Sequence, residues 1–374
     1  MRQAEKGISL FRPLVVALWF SFLLLPFKGV KASGLLFVFL AVSIPVFNGI
    51  AGAVKKMHLP LARLKKYFPQ DKRYLILLLL PVFIVPFVSE DYVIDVAILS
   101  GIYVILALGL NVVVGFAGLL NLGFVAFYAI GAYSYALIDT KLGMGFWSAL
   151  PLSVFLTIIS GFLLAIPALR LKGDYLAVVT LGFGEIVRII LNNWDSFTKG
   201  PNGISGIAPP SLMGVTIGKL SSYYYLVFCL VVIAVFVMRR VKDSKIGRAW
   251  IAIREDEIAS SAMGVNILKY KLYAFAFGSF WAGLAGCLFA AKMRFVSPES
   301  FTFMESVLIL CMVILGGLGS IAGVVIGAVI LVFLPEVLRE VQTYRMLALG
   351  AGLVFLMVFR PQGLFGGKSV SLGS

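Results

Sequence analysis

Two charged side chains lie deep inside an otherwise apolar stretch of the chain. Glu185 and Arg188 fall within residues 175–193 and are spaced i, i+3, so a helix would place both on one face. Charges inside a membrane are costly unless they are paired or line a polar path. The pair could therefore serve a path for a zwitterion, whose ammonium and carboxylate need opposite charges. Alternatively, it is a self-neutralised bridge that faces the bundle interior or a neighbouring subunit.

A second candidate group combines two asparagines with several glycines. Asn111 and Asn121 are the notable polar residues of the uncharged stretch 96–138. Three glycines lie between them or just after them: Gly115, Gly118 and Gly123. Each would weaken a helix by about 1 kcal/mol if it were interior. The cluster predicts a broken helix or a close backbone approach near the membrane midplane, where carbonyl groups can face a pore. Ordinary packing of small residues between helices is the alternative.

Two polar segments outside the apolar runs could contact other proteins. Residues 194–221 are too polar to span a membrane and contain Pro201, Asn202 and Gly203, a typical turn sequence. This turn is either an ordinary one or a surface on which another protein docks. Residues 239–271 carry eight Lys/Arg. Within them, residues 248–264, named the docking segment below, predict one short polar helix over 248–263 that stops at Gly264. It either docks into a partner's groove or is a solvated basic loop.

The elements that must position these residues are membrane helices. The chain has 374 residues, of which 61% are hydrophobic and only 13% charged, and this excludes a soluble globular protein. We predict an all-α polytopic membrane protein with eleven or twelve spans. Residues 306–335 are either one long tilted helix or two short spans hinged at 316–320. The other predicted spans are 13–27, 34–54, 74–88, 93–113, 119–138, 146–169, 175–193, 222–238, 272–291 and 346–359.

The distribution of basic residues predicts the orientation. With twelve spans and both termini in the cytoplasm, the inner segments hold 22 of the 32 Lys/Arg residues. The net charge of +15 is then explained by cytoplasmic loops, and no nucleic-acid partner is expected. The basic loop 55–73 is a topology signal or a contact for anionic membrane lipids. The remaining basic residues that fall outside include Lys292 and Arg294, which fit the rule less well.

Cysteine and histidine usage excludes several kinds of chemistry. Cys229, Cys287 and Cys311 all lie in apolar stretches, so they indicate small buried hydrophobic residues rather than a disulfide or redox motif. His58 is the single histidine, which leaves almost nothing for a metal site or a catalytic triad. No phosphate-binding GxxxxGK[ST] motif occurs, so the chain is not expected to hydrolyse ATP by itself.

Several segments resemble one known family. Segment 247–264, Gly-Arg-Ala-Trp-Ile-Ala-Ile-Arg-Glu-Asp-Glu-Ile-Ala-Ser-Ser-Ala-Met-Gly, resembles the coupling loop of branched-chain amino-acid ABC importer permeases. The similar segments follow the family's order and cover roughly residues 95–366. The further matching segments are 110–123, 127–133, 169–177, 180–188, Gly-Pro-Asn-Gly-Ile at 200–204, Leu-Gly-Gly-Leu-Gly-Ser at 315–320 and Arg-Pro-Gln-Gly-Leu-Phe-Gly at 360–366. Two positions depart from the family: Lys199 stands where glycine is usual, and Val324 where proline is common.

The resemblance implies an importer permease that forms part of a larger assembly. Residues 1–92 look like the N-terminal transmembrane extension, of about three spans, found on the M-type subunit of an H/M permease pair. Residues 93–366 would form the permease core and 367–374 a cytoplasmic tail. The implied partners are an H-type permease, two cytoplasmic ATPase subunits and a periplasmic or lipid-anchored substrate-binding protein in the bacterial inner membrane. ATP and Mg would be bound by the ATPases, and this chain would bind no cofactor or metal.

The resemblance also implies roles for single residues. Coupling to the ATPases would come from Arg254, Glu255, Asp256, Glu257 and Ala259, with Gly264 ending the helix. The residue patterns described above, rather than the resemblance, make Asn111, Gly115, Gly118, Asn121, Glu185 and Arg188 the candidates for the translocation path. The same reasoning makes Pro201, Asn202 and Gly203 the candidates for docking of the binding protein.

Two other function classes stay open at this point. A urea or short-chain amide permease is a relative, but those proteins commonly carry histidine after a Ser-Leu-Gly step. Here Phe124 follows Asn121-Leu122-Gly123, which favours amino acids. A polytopic membrane enzyme would need clustered His, Asp or Glu at one membrane face, and this chain lacks the histidines.

Overall fold

The computed structural model describes residues 86, 90–168, 171, 173–212, 215–216, 218–337, 350 and 363. The chain divides into two compact units, residues 1–82 and 83–374, and all described residues belong to the second. Apart from residues 86 and 350, the predicted spans 13–27, 34–54, 74–88 and 346–359 lie outside the described part, as do the basic loop 55–73, His58 and the tail 367–374.

The described part contains eleven α-helices, which agrees with the all-α prediction. Four two-residue strands form two small antiparallel pairs, β1 with β4 and β2 with β3. The helices are α1 (Asp91–Leu110), α2 (Phe124–Leu142), α3 (Phe146–Ala168), α4 (Asp174–Asn193), α5 (Asp195–Thr198), α6 (Leu220–Lys242), α7 (Lys245–Glu255), α8 (Glu257–Ala262), α9 (Ile267–Met293), α10 (Phe303–Gly316) and α11 (Ile321–Val337). The strands are β1 (Ile204–Ser205), β2 (Ser211–Leu212), β3 (Val215–Thr216) and β4 (Phe295–Val296). Asn111–Phe116 is a π-helical turn, and Gly200–Asn202 and Pro298–Phe301 are 3₁₀ turns.

Four stretches of the described chain are long and apolar enough to cross a membrane, and this supports the predicted polytopic architecture. They are Asp91–Phe116, Phe146–Pro167, Leu220–Lys242 and Ile267–Met293. Helices α2 and α4 correspond to the predicted spans 119–138 and 175–193. Helix α2 begins at Phe124 rather than at the predicted residue 119, and residues 117–123 are not helical.

Residues 306–335 adopt the second of the two predicted arrangements. Helices α10 and α11 are separate and are joined by a turn at residues 317–320. Gly317 and Gly319 have φ angles of 103° and 80°, which favour glycine. The two helices pack so closely at Gly323 that a Cβ there would overlap the Gly316 carbonyl oxygen, so glycine is required at this contact.

Helix α9 lies at the centre of the bundle and packs against α1, α2 and α3. Its contact with α2 depends on small residues. A Cβ on Gly131 would lie 2.5 Å from the Gly283 carbonyl oxygen, and one on Gly286 would overlap the Tyr128 carbonyl oxygen. Close approach of this kind is how membrane helices gain van der Waals contact.

Candidate functional site

The stretch between α1 and α2 is a broken helix, as its glycines predicted. Helix α1 continues into the π turn, the chain then runs without helical structure through residues 117–123, and α2 begins at Phe124. The Asn111 carboxamide oxygen accepts a hydrogen bond from the Gly319 amide at 2.9 Å. A Cβ on Gly115 would overlap that same oxygen and lie 2.6 Å from the Gly319 nitrogen. The break in the helix and the close backbone approach therefore occur together.

The far end of the break is held by α4. The Gly123 amide donates to the Asn121 side-chain oxygen at 2.9 Å, and the Leu122 amide donates to the Thr180 hydroxyl at 3.0 Å. A Cβ on Gly123 would overlap the Thr180 carbonyl oxygen, so glycine is required for this contact. Asn121 is fully buried, and its side-chain nitrogen has no hydrogen-bond partner within the described part of the chain.

The docking segment is not one helix, so that prediction is wrong. Helix α7 ends at Glu255 and α8 begins at Glu257. Between them Asp256 has φ −155°, and its carboxylate accepts hydrogen bonds from the Ile258 and Ala259 amides at 2.8 and 2.9 Å. Aspartate is among the strongest N-cap residues, and capping the second helix outweighs continuing the first.

The predicted stop at Gly264 is confirmed. Gly264 has φ 82°, the Gly264 amide donates to the Ser261 carbonyl at 3.0 Å, and the Val265 amide donates to the Ser260 carbonyl at 3.1 Å. This is the Schellman pattern that ends many helices with a left-handed glycine. Helix α8 is therefore bounded by an aspartate cap and a glycine stop.

The docking segment is fixed to the start of α9. The Trp250 indole nitrogen donates to the Tyr270 carbonyl at 2.7 Å, and Trp250 is buried. Lys271 is buried and forms an ion pair with Glu257 at 2.9 Å. Ile258 and Met263 instead remain 78% and 85% exposed. Of the residues predicted to contact an ATPase, Arg254, Glu255, Asp256 and Ala259 are exposed, whereas Glu257 is partly engaged within the chain.

Arg254 points back into the bundle. Its Nη1 donates to the Gly115 carbonyl oxygen, at the end of the π turn. Its aliphatic stem lies over Gly118, which has φ 70° and where a Cβ would come within 2.5 Å of the Arg254 Cγ. Nearby, the Lys242 ammonium donates to the Gly319 carbonyl at 3.1 Å. Lys242 was missed by sequence reasoning, because a basic residue at a helix end has the same pattern as a topology signal.

Glu185 and Arg188 form the predicted ion pair on α4. Arg188 Nη2 and Nε each lie 2.9 Å from the same Glu185 oxygen. Their side chains are 33% and 36% exposed, next to the exposed Ile186 and Ile189, so the pair is not fully buried among the described helices. The role of the pair stays a prediction.

The Gly-Pro-Asn-Gly turn closes against β4. Pro201 and Asn202 are exposed, and Gly203, with φ 66°, is buried where a Cβ would overlap the Val296 carbonyl oxygen. Ile204 pairs with Val296 in the β1–β4 ladder. Lys199, the position at which the family usually has glycine, has φ 61°, which explains that preference.

Two further polar pairs join residues that are far apart in the sequence. Lys292 forms an ion pair with Asp95 at 3.0 Å, so this basic residue at the end of α9 has a structural partner. The Tyr103 hydroxyl donates to Glu305 at 2.7 Å. No sequence signal links either pair, because their members are 197 and 202 residues apart. Within the described residues, no group of three or more His, Cys, Asp or Glu could hold a metal ion.

Comparison with known families decides the class. A family model described as "Branched-chain amino acid transport system / permease component" matches residues 92–359. The chain belongs to this family. It is 46% identical over 318 residues to the high-affinity branched-chain amino acid transport system permease protein LivM of Escherichia coli K12, which covers 79% of this chain and 75% of that protein. The LivM protein of Salmonella typhimurium LT2 is 47% identical over the same length and the same shares.

A more distant relative represents the second permease type. The LivH permease protein of the same Escherichia coli strain is 26% identical over 300 residues, which cover 73% of this chain and 94% of LivH. The resemblance to the M-type subunit is thus confirmed by the much higher identity to LivM. No solved structure matches the chain. Because the relatives are transport permeases, they favour a transporter over a membrane enzyme.

Proposed function

We propose that this chain is the M-type permease subunit of an ATP-driven importer of branched-chain amino acids in the bacterial inner membrane. The observation that carries the proposal is the 46% identity to LivM over 79% of this chain. The full importer would add an H-type permease, two ATPase subunits that bind ATP and Mg, and a substrate-binding protein. This chain would bind no cofactor of its own. The names of the relatives favour amino acids over urea or short-chain amides.

The outer surface of the docking segment suits an ATPase groove. Its polar helices expose Ile258 and Met263, and apolar side chains on an exposed polar helix are suited to insertion into a partner. The buried Trp250 and the Glu257–Lys271 ion pair give this surface a fixed base on α9. A force applied at α8 is therefore transmitted to the bundle rather than absorbed by a loose loop.

The exposed face of α4 suits the second permease. Glu185 and Arg188 are about one-third exposed in the middle of a helix, where contact with lipid hydrocarbon would be costly. The neighbouring Val178 and Ile186 are 67% and 56% exposed, and a Cβ on Gly182 would meet nothing within 4 Å. We infer that the H-type permease covers this face, and that the charged pair borders the path between the two permeases. An amino-acid zwitterion could then pass a carboxylate and a guanidinium.

The break between α1 and α2 and the turn at 200–203 complete the proposed path. Asn111, Gly115, Gly118 and Asn121 lie along the break, where backbone groups are released from helical hydrogen bonds. The exposed Pro201 and Asn202 would face the binding protein. With Pro201 and Asn202 on the outer side of the membrane, the docking segment and both chain termini lie on the cytoplasmic side.

Reconstitution tests the proposal directly. The chain would be coexpressed with its neighbouring transport genes and placed in proteoliposomes with the purified binding protein. We expect uptake of labelled leucine that requires ATP on the side of the membrane where the ATPase subunits are bound. We also expect unlabelled isoleucine and valine to compete with leucine for uptake. ATP-dependent uptake of urea or acetamide, without uptake of leucine, isoleucine or valine, would instead establish the alternative substrate class.

A further inference from the structure

Two cations and one amide hold together the two places where helices of the core are interrupted. The first interruption is the π turn that follows α1, and the second is the turn at residues 317–320 between α10 and α11. Arg254 donates to Gly115 in the first turn, Lys242 donates to Gly319 in the second, and Asn111 accepts from the Gly319 amide. We call these five residues the latch.

The electrostatics of the latch are favourable for a simple reason. The π turn and α10 both end at the latch, so carbonyl groups without helical partners converge there, two residues before the start of α11. Arg254 and Lys242 supply positive charge at these ends, and Lys242 also lies 5.7 Å from the centroid of the Phe116 ring. Removing either cation would leave backbone carbonyls without their charged donor.

The steric fit of Arg254 is equally specific. Gly118 has a left-handed backbone and lacks the Cβ that would collide with the Arg254 stem. Gly319 also has positive φ, and a Cβ there would lie 3.4 Å from Arg254 Nη1. On the side of the core the Arg254 guanidinium therefore meets glycine backbone, while its Nη2 pairs with the Glu255 carboxylate at 3.3 Å.

Arg254 belongs to the last turn of α7, one residue before Glu255, whose side chain is 66% exposed. Arg254 Nη2 also lies 3.3 Å from Glu255 Oε1, so the Arg254 guanidinium joins the exposed end of α7 to the broken helices. We propose that Arg254 and Lys242 are positioning residues that transmit movement of the docking segment to the two helix interruptions of the core. This inference rests on the proposed function, because it assigns the coupling step within that importer. Tilting of α7 would draw Gly115 along with it, and Asn111 would carry the movement to Gly319.

The first test measures the linkage without any ATPase. Amide hydrogen exchange would be recorded for residues 112–123 in the purified permease pair, for wild type, Arg254→Gln and Lys245→Gln. Lys245 is exposed, lies on the same helix α7 and is outside both the docking segment and the latch, so it is a matched loss of charge. We expect exchange in residues 112–123 to rise on the order of tenfold in Arg254→Gln, as befits the loss of a hydrogen bond from a charged group. Lys245→Gln should match wild type. Equal exchange in all three proteins would overturn the inference.

The second test separates coupling from docking. Leucine uptake per ATP hydrolysed would be measured in proteoliposomes for Arg254→Gln and Lys242→Gln, together with recovery of the ATPases on the purified permeases. For Lys242→Gln we expect ATPase recovery within twofold of wild type, and for both variants we expect leucine transported per ATP to fall about tenfold. Lys242 lies on α6, outside the docking segment, so Lys242→Gln decides the matter if Arg254→Gln does not assemble. Wild-type transport per ATP in an assembled variant would refute the latch. Absence of ATP-dependent leucine uptake in wild type would instead refute the proposed function, and the exchange experiment would still judge the linkage.

Discussion

The short helix α8 offers the sharpest test of how the docking segment is stabilised. It has six residues, and isolated helices shorter than about 12 residues are marginal in water. The stability of α8 therefore depends on the residues that cap its two ends. Changing Gly264 to valine places a β-branched residue at φ 82°, which costs roughly 1–2 kcal/mol. Changing Asp256 to alanine removes two hydrogen bonds from the N-cap and costs about 1 kcal/mol.

These losses of stability act on the local folding of α8 rather than on the whole helix bundle. If the ATPase binds only folded α8, the apparent affinity falls with the folded fraction. A loss of 1–2 kcal/mol then weakens the ATPase affinity by at most about five- to thirtyfold, the limit reached when free α8 is mostly unfolded. The permease bundle itself should keep its thermal stability, because neither Asp256 nor Gly264 lies in a spanning helix.

The assay is a titration of purified ATPase subunits onto immobilised permease pair, alongside a thermal-unfolding scan of the pair alone. Matched controls are Gly264→Asn, since asparagine tolerates the left-handed region, and Asp256→Ser, since serine is also a good N-cap. Both controls should bind within about twofold of wild type. The reasoning is refuted if Gly264→Val binds as tightly as Gly264→Asn, or if Asp256→Ala is indistinguishable from Asp256→Ser.

Three further predictions follow from ion pairs and backbone geometry. In assembled permease pairs, Glu185→Gln and Arg188→Gln should each lower the free energy of unfolding by about 3 kcal/mol. Each change leaves one unpaired charge on the face of α4 that the second permease covers. The double variant should cost less than the sum, and additivity within about 0.5 kcal/mol in a double-mutant cycle would show that the two do not interact. Glu257→Lys should weaken ATPase binding by placing a second cation beside the buried Lys271, and the reciprocal Lys271→Glu change should recover part of it, as measured by copurification. Lys199→Gly should raise the thermal midpoint by removing about 1 kcal/mol of left-handed strain, and an unchanged or lower midpoint in a thermal scan would contradict this.

Local features of this protein were predictable because they depend on neighbours in the chain. Hydropathy located the membrane helices, since a stretch such as Leu220–Lys242 is apolar along its whole length. The glycine cluster predicted the break before α2, because several glycines together disfavour a continuous helix. Gly264 predicted the end of α8, and the i, i+3 spacing of Glu185 and Arg188 predicted their ion pair.

The docking segment shows where local reasoning failed. Helix propensity summed over 248–263 favours one helix, yet Asp256 divides it into two. Aspartate in a helix interior and aspartate at an N-cap have the same sequence signature, and the choice depends on the direction that the following turn must take. That direction is imposed by the contact of Trp250 with Tyr270 and by the Glu257–Lys271 ion pair on α9.

What only the tertiary structure decided is which distant backbone groups these side chains meet. Arg254 and Glu255 are adjacent and form an ion pair at 3.3 Å, yet Arg254 also reaches Gly115, 139 residues away in sequence, whereas Glu255 remains 66% exposed. The sequence by itself determined the membrane class, the helix interruptions and the positions of the charges. The partner of each charge depends on how the helices pack, because carbonyl groups freed at a helix break attract whichever cation the bundle brings within hydrogen-bond distance.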